Sequence, residues 1–247
     1  MVAAGRAVGQ TLAMFVPDIL DVTLTAVGPV DAAHPRHAQT FDLPFADGEV
    51  EVGIWECTPG TFDGTTGDFD EIMYMVGGRV TITYGGDLSE EHATFDIAPG
   101  TLWTTPRNWP CTWTVHQTVR KMYVIDHRPG GPSDPAYLSN AFSEPVGPWT
   151  PRPSASAGDP HEATSTIWNQ NGIEAGVWEC TPGVFPLRRD GWSEVVTILA
   201  GRATIYGDDG DVMELVPGSV YYTPDGYTGR WEVHETVRKA YGIVRTS

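Results

Sequence analysis

Short runs that alternate apolar and polar residues recur along the chain, and turn residues separate them. In the first half these runs include EVEVGIWEC, EIMYMV, RVTITY, TLWTT, TWTVHQT and RKMYVIDH. They are rich in Val, Ile, Thr, Tyr and Trp, the residue types that favour β-strands. Segments such as PG, GG and NWP interrupt them and indicate turns. Because no segment keeps an apolar period of 3.6 residues, the pattern predicts an all-β fold of the sandwich or barrel type.

The pattern occurs twice, because the chain contains an internal repeat. VEVGIWECTPGTF at 50–62 matches IEAGVWECTPGVF at 173–185, an offset of 123 residues. At an offset of 118 residues, IAPGTLWTTP matches LVPGSVYYTP and WTVHQTVRKMY matches WEVHETVRKAY. The offset changes because a polar loop near residue 90 is longer in the first copy. A repeat of this length predicts two copies of one domain in tandem.

Composition suggests where the two copies begin and end. Residues 129–159 are rich in Pro, Gly and Ser, as a surface linker would be. We therefore predict an N-terminal domain over 1–128 that includes a leader segment, a linker over 129–159, and a C-terminal domain over 160–247. The leader carries one Arg in a weak, Gly-interrupted apolar run, and we interpret it as part of the mature protein and not as a signal peptide.

Charge and cysteine content narrow the class of protein. The net charge of −17 argues against nucleic acid and anionic membrane as partners, because both need clustered Lys and Arg. No run of about 18 apolar residues is present, so no membrane span is predicted. Cys57 and Cys180 are copies of each other, whereas Cys111 has no counterpart. Three thiols in this arrangement do not make a disulfide framework, and we expect reduced cysteines in a cytoplasmic protein.

Four motifs recur in both copies: PG-x-F, a Glu followed seven positions later by Gly, PG-x5-P, and W-x-V-H-x-TVRK-x-Y. Together they resemble the cupin superfamily, and more closely its subgroup of ethanolamine-utilisation and ureidoglycine-aminohydrolase-like proteins. The resemblance covers most of the chain. It implies two tandem jelly-roll β-barrels, a bicupin, that pack together as an intramolecular copy of a cupin dimer. A further homodimer is left open.

The resemblance also implies a metal held by three His and one Glu, yet the His residues are missing. Glu71 and Glu194 occupy the Glu position of the motif. The His position of the second motif holds Cys111 in the first copy and Gly229 in the second, and the other two positions hold no His either. One or two candidate ligands fall short of the three or four that stable transition-metal sites use. We therefore predict neither a metal nor another cofactor.

Strand alternation predicts what fills the N-terminal barrel. Side chains two positions apart face the same way, so an inward Glu71 brings Met73 and Met75 inward. An inward Cys111 likewise brings Trp113 inward. A carboxyl group in such apolar surroundings is suited to act as a general acid or base. We predict Glu71 as the catalytic residue, and as substrate-binding walls Met73, Met75, Trp103, Cys111 and Trp113.

The two copies differ in charge beside the predicted mouth of each barrel. DGTTGDFDE at 63–71 is acidic, and we add Asp68 and Asp70 to the predicted substrate-binding residues because they would attract a cation or an amine. The second copy has LRRDGWSE at 187–194, whose arginines predict a salt bridge to Glu194. We interpret the identical WECTPG segments as scaffold and the differences between the copies as the place of function.

Three functions remain in competition. The first is a metal-independent small-molecule enzyme that performs acid–base chemistry, such as isomerisation, dehydration or cyclisation, in the N-terminal barrel. The second is a non-catalytic bicupin that binds a small molecule or is structural. The third is a metalloenzyme with the non-standard ligands Glu71, Asp68 or Asp70, and Cys111. The first is favoured because only one copy has the acidic mouth.

Overall fold

A computed structural model describes residues 13–27, 37–39, 49–85 and 93–246. These residues form nineteen strands and no α-helix, which confirms the all-β prediction. Among them there is no helix with the length and apolarity needed to cross a membrane. The start of the leader and the loop near residue 90, which accounts for the change of offset, lie outside the described residues.

The strands are numbered in chain order. The first nine are β1 (Met14–Val16), β2 (Thr25–Val27), β3 (His37–Gln39), β4 (Val50–Cys57), β5 (Gly60–Asp63), β6 (Asp70–Tyr84), β7 (Thr94–Ile97), β8 (Thr101–Thr105) and β9 (Cys111–Asp126). The other ten are β10 (Tyr137–Asn140), β11 (Thr150–Pro151), β12 (Ala157–Gly158), β13 (His161–Gln170), β14 (Ile173–Cys180), β15 (Gly183–Arg188), β16 (Trp192–Gly207), β17 (Val212–Leu215), β18 (Val220–Thr223) and β19 (Thr228–Arg245).

Each repeat forms one antiparallel sheet, and the sheets make two jelly-roll barrels. The N-terminal barrel consists of the nine strands β2 to β10, and the C-terminal barrel consists of β1 and β11 to β19. Strands β4 to β9 correspond one by one to β14 to β19 at the two offsets of the repeat. In both barrels the longest ladder joins two long strands, β6 with β9 and β16 with β19. The predicted fold class of two tandem barrels is confirmed.

The barrels exchange one strand each. β1 pairs with β18, so the segment before the first repeat adds a strand to the C-terminal barrel. β10 pairs with β8, so part of the predicted linker adds a strand to the N-terminal barrel. The equivalent arginines of the two TVRK segments hold these exchanged segments. Arg120 Nη1 donates to the carbonyl oxygen of Leu20 at 2.7 Å, and Arg238 Nε donates to that of Ala141 at 2.7 Å.

Apolar side chains from both barrels form one shared core between them. It contains Ile72 and Val124 from the N-terminal barrel together with Val195 and Val244 from the C-terminal barrel. Gly242 lies in this core, and a Cβ atom there would come within 3.1 Å of Val124. One further apolar cluster fills the interior of each barrel. The barrels therefore contact each other through a packed apolar surface.

The motif glycines lie at bulges in the long strands. Gly78 has φ +84° and Gly201 has φ +81°, the left-handed region that favours glycine. A Cβ atom on Gly78 would lie 2.2 Å from the carbonyl oxygen of Thr118, and one on Gly201 would lie 2.1 Å from that of Thr236. The ladder register shifts at both positions. The motif therefore requires glycine here for both backbone conformation and space.

We expect Gly201→Ala to destabilise the protein by more than the about 1–2 kcal/mol that a left-handed conformation alone costs an L-residue. The added reason is the contact between the new methyl group and the backbone of the partner strand. Gly210→Ala is the control, because Gly210 has φ +96° with open space around it. Urea unfolding of both variants measures the difference. Equal losses for the two would show that the backbone contact is not limiting.

Candidate functional site

Each barrel contains an open cavity, and equivalent positions of the repeat line both. The N-terminal cavity has a volume of about 190 Å³, and its walls are Trp55, Phe62, Gly64, Glu71, Trp113, Lys121, Tyr123 and Ile125. The C-terminal cavity has a volume of about 270 Å³, and its equivalent walls are Trp178, Phe185, Leu187, Glu194, Trp231, Lys239, Tyr241 and Ile243. Seven of these eight pairs are identical, the exception being Gly64 and Leu187. The cavity is therefore a property of the repeat itself.

A buried ion pair forms one wall of the N-terminal cavity. Strand β6 carries Glu71 and the neighbouring strand β9 carries Lys121, whose Nζ lies 2.6 Å from Glu71 Oε1. The exposed fractions of the two side chains are 10% and 8%. Low exposure strengthens the attraction between the two charges, and each charge satisfies the other where water is scarce. The inward orientation of Glu71 that the cupin resemblance implied agrees with this arrangement.

Two indole rings enclose the ammonium group of Lys121. Its Nζ lies 5.0 Å from the ring centroid of Trp55 and 5.0 Å from that of Trp113, within the range of cation–π attraction. Phe62 stacks on Trp113 with 5.9 Å between ring centroids. A Cβ atom on Gly64 would lie 1.8 Å from Trp113, so this position of the indole requires glycine there. The aromatic rings pack around the ammonium group, and the ion pair lines the cavity.

The predicted walls of the N-terminal site separate into two groups. Trp113 lines the cavity with Glu71, whereas Met73, Met75 and Trp103 are fully buried in the apolar interior behind it. Trp103 contacts Trp113 with 5.5 Å between ring centroids and supports it from behind. Most of the predicted apolar walls therefore hold the site in place without facing it.

Cys111 also lies behind the cavity. Its Sγ donates a hydrogen bond to the carbonyl oxygen of Gly64 at 3.0 Å. Burial raises the pKa of the Cys111 thiol to about 12, so the thiol is protonated at neutral pH. A protonated thiol is a poor nucleophile and a poor metal ligand.

Asp68 and Asp70 of the acidic segment do not line the cavity. Asp68 is exposed, and Asp70 is buried at the start of β6. Asp70 accepts hydrogen bonds from Arg107 at 2.7 Å, from Ser133 at 2.6 Å and from Asn171 at 2.9 Å. Burial by itself raises the pKa of Asp70, but these donors outweigh it and lower the pKa below its usual value. Asp70 thus joins β6 to the linker and to the C-terminal repeat.

Lys121 was not among the site residues predicted from the sequence, although a signal for it was present. Lys121 has the same parity along its strand as Cys111 and Trp113, which alternation already placed inward. A charged residue at an inward barrel position needs a partner, and Glu71 was the available one. WECTPG was interpreted as scaffold, whereas Trp55 and Trp178 of that segment line the two cavities.

The C-terminal cavity contains the equivalent pair with one more cation. Lys239 Nζ lies 2.7 Å from Glu194 Oε1, and Arg189 forms an ion pair with the other oxygen of Glu194. This confirms the predicted salt bridge between Glu194 and a neighbouring arginine. Burial by itself raises the pKa of Glu194, but Arg189 and Lys239 outweigh it and hold the pKa below its ordinary value.

The residues present do not fit a metal site of three His and one Glu. Glu71 and Glu194 are each bound by an ammonium group, and among the residues that the structure describes no imidazole lines either cavity. Within the described ranges no group of three or more His, Cys, Asp and Glu side chains is placed to hold a metal ion. The positive charge beside each motif glutamate belongs to a lysine, joined at Glu194 by Arg189.

Comparison with known proteins agrees with this description of the repeat. The family model of the EutQ-like cupin domain matches residues 45–123 and again residues 169–241. No curated protein sequence matches the chain.

Solved structures share the fold over nearly the whole chain. A protein of unknown function from Pseudomonas syringae, of the DUF861 family, has a TM-score of 0.76 at 16% identity over 95% of this chain and 100% of its own. The putative glyoxylate-induced protein of Pseudomonas aeruginosa has a TM-score of 0.67 at 14% identity over 98% and 92%. Oxalate decarboxylase of Bacillus subtilis, a protein with Mn(II) centres, has a TM-score of 0.54 at 13% identity over 98% of this chain and 78% of its own. At such identities these likenesses show the fold alone.

Proposed function

This chain belongs to the EutQ-like cupin family, and we propose that it is a small-molecule enzyme that performs acid–base chemistry in its N-terminal barrel without a metal. One observation carries the proposal: the ion pair between Glu71 and Lys121, 2.6 Å apart, faces an open cavity with aromatic walls. A carboxylate beside a fixed cation, shielded from water, is a recurrent arrangement in proton-transfer sites.

The two charged groups suit two halves of one reaction. The Glu71 carboxylate is a base that can accept a proton from a carbon atom next to a substrate carbonyl group. The Lys121 ammonium can then stabilise the negative charge that develops on the carbonyl oxygen. Return of the proton to a different carbon completes an isomerisation, and loss of a neighbouring hydroxyl group as water completes a dehydration.

The aromatic rings limit what can enter. Trp55, Phe62 and Trp113 give the cavity flat apolar walls, and its volume of about 190 Å³ suits a small compound. Because these rings are apolar, they strengthen the effect of Lys121 on a developing negative charge. We therefore propose a small carbonyl compound as substrate class.

The N-terminal barrel is the better candidate for proton transfer because of how each glutamate is bound. Glu71 is paired with one cation, whereas Glu194 is bound by two cations and also accepts a hydrogen bond from Tyr221 at 3.4 Å. A carboxylate stabilised by three donors is a weaker base. This comparison supports the placement of the activity at Glu71.

A second candidate function is binding without catalysis. The observation in its favour is that the barrel interior behind the ion pair is filled by Met73, Met75 and Trp103. A buried pair in a well-packed barrel also suits a protein that only holds a ligand or maintains its fold.

Deuterium exchange distinguishes the two candidates. The protein is incubated in D₂O with hydroxyacetone, acetoacetate, pyruvate or glyceraldehyde, and ¹H NMR follows the loss of the protons next to each carbonyl. We expect faster exchange than in buffer for at least one of these compounds. Saturable binding without exchange would favour the non-catalytic function, and neither binding nor exchange would contradict the proposed substrate class.

A further inference from the structure

The charges that line the C-terminal cavity do not balance. The lining contains four cations, Arg152, Arg188, Arg189 and Lys239, but only two carboxylates, Glu174 and Glu194. Two residues outside the lining pair with these groups, Glu162 with Arg152 and Arg245 with Glu174. Because they add one negative and one positive charge, the excess of positive charge is unchanged. The lining of the N-terminal cavity carries one Glu and one Lys. An excess of positive charge is therefore specific to the C-terminal cavity, in a chain whose net charge is −17.

One residue exchange between the repeats accounts for the buried part of this excess. Arg189 and Thr66 occupy equivalent places, since their backbone N–H groups donate to the carbonyl oxygens of Tyr227 and Trp109, which are themselves equivalent. Both side chains are buried. Arg189 thus adds a second buried cation beside Glu194, where the N-terminal barrel has a neutral threonine.

Two buried cations share one carboxylate in this arrangement. Arg189 is held by Glu194 and by Thr223, whose Oγ1 accepts from its Nε at 2.9 Å. Glu194 is also the carboxylate that pairs with the Lys239 ammonium group. Burial, with a further contribution from Arg189, lowers the pKa of Lys239 to about 8 although Glu194 opposes this. An excess buried charge is unfavourable unless a counter-charge is supplied.

We infer that the C-terminal cavity is a binding site for a small carboxylate anion, separate from the proposed acid–base site of the other barrel. Arg189 and Lys239 lie at the inner wall and Arg188 is exposed at the mouth. A bound carboxylate neutralises the excess charge of the inner wall and accepts hydrogen bonds from groups that have only one acidic partner. Guanidinium groups are well suited to carboxylates because they donate two parallel hydrogen bonds.

The remaining walls favour an organic anion with a flat apolar part. The rings of Trp178 and Trp231 lie 5.8 Å apart between centroids, and Phe185 stacks on Trp231 at 6.2 Å. The guanidinium of Arg189 lies 4.1 Å from the ring centroid of Trp192. A cavity of about 270 Å³ with such walls suits a compound of the size of an aromatic monocarboxylate.

Sodium benzoate is the probe, with sodium phosphate as the competing anion at constant ionic strength. Isothermal titration calorimetry measures affinity and stoichiometry for the full chain, and thermal unfolding gives an independent measure because a ligand of the folded state raises Tm. We expect one benzoate per chain and weaker binding of phosphate. The double variant Glu71→Gln and Lys121→Met, which removes both members of the buried pair in the other barrel, should leave the benzoate affinity unchanged.

Arg189→Thr is the decisive variant, because it installs the residue of the N-terminal barrel, where the same fold accommodates threonine. We expect it to weaken benzoate binding at least about tenfold, as loss of a buried charge partner does. Arg188→Ala at the exposed mouth, which leaves the core intact, should weaken it by a smaller factor. Arg202→Thr is the matched control, because Arg202 is exposed and pairs with Glu235.

Three results would overturn the inference. The first is no saturable benzoate binding by the wild-type protein. The second is unchanged affinity in both Arg189→Thr and Arg188→Ala. The third is phosphate binding at least as tight as benzoate binding with the same dependence on Arg189, which would make the site a general anion site and not a carboxylate site.

Discussion

Replacement of Glu71 by Gln together with Lys121 by Met is expected to abolish proton exchange on the carbonyl compounds, with a rate lower by about 10²–10⁴-fold. The double variant removes both the base and the cation while it keeps side chains of similar volume in the cavity wall. Deuterium incorporation measured by NMR at equal protein concentrations gives the ratio of rates.

The double variant is preferable to either single change because of the ion pair. Removal of one member leaves the other charge buried without a partner, which typically costs about 3–5 kcal/mol. A loss of activity in a single variant would then be confounded with unfolding. Replacement of a buried pair by neutral groups of similar volume is often close to neutral for stability.

The equivalent change in the other barrel is the control. It is the triple variant Arg189→Thr, Glu194→Gln and Lys239→Met, which removes the buried charges of the C-terminal cavity. We expect it to keep the exchange activity. If the triple variant loses exchange while the Glu71 and Lys121 double variant retains it, the activity has been assigned to the wrong barrel.

Glu194→Gln is expected to lower the free energy of unfolding by about 3–5 kcal/mol, because it leaves Arg189 and Lys239 buried without their shared carboxylate. Urea unfolding at pH 7 measures the loss. Addition of Arg189→Thr to the same chain should recover part of the loss, since it removes one of the two unpaired cations. A loss below about 1 kcal/mol would contradict the importance of this cluster.

The loss of stability caused by Glu194→Gln is expected to depend on pH. The pKa of Glu194 in the folded protein lies below its ordinary value of 4.5, since Arg189 and Lys239 outweigh the effect of burial. Its ionisation therefore stabilises the fold fully above about pH 4.5, and this stabilisation is lost as the pH falls through the folded-state pKa. The gap in stability between the wild-type protein and Glu194→Gln should narrow in acid. A gap that stays constant down to pH 3 would contradict the assignment.

Alternation and turn signals along the chain were sufficient to predict the all-β class, and the repeated segments were sufficient to predict the duplication. The motif position of Cys111 together with alternation predicted the inward orientation of Trp113. These are local properties, since strand propensity and side-chain parity depend on a few neighbouring residues. The missing histidines were equally visible, because a ligand motif is defined by spacing within one strand or turn. The glycines Gly78 and Gly201 could also be predicted as motif positions, because each lies a fixed seven residues after its motif glutamate.

Only the tertiary structure decided which inward groups meet. Lys121 was visible as part of TVRK, yet its contact with Glu71 depends on the pairing of β6 with β9, strands far apart in sequence. The structure also placed Asp70 in contact with the linker and Trp55 in the cavity wall.

The sequence by itself thus determined the fold class, the repeat and which residues stand at the motif positions where cupins carry histidine. The tertiary structure decided that a lysine accompanies each motif glutamate, that the barrels exchange strands, and that Arg189 makes one cavity positively charged. The physical reason is that side-chain parity is set within a strand, whereas the partner of a buried charge is set by barrel closure. Closure brings together residues tens of positions apart, and no local pattern specifies those contacts.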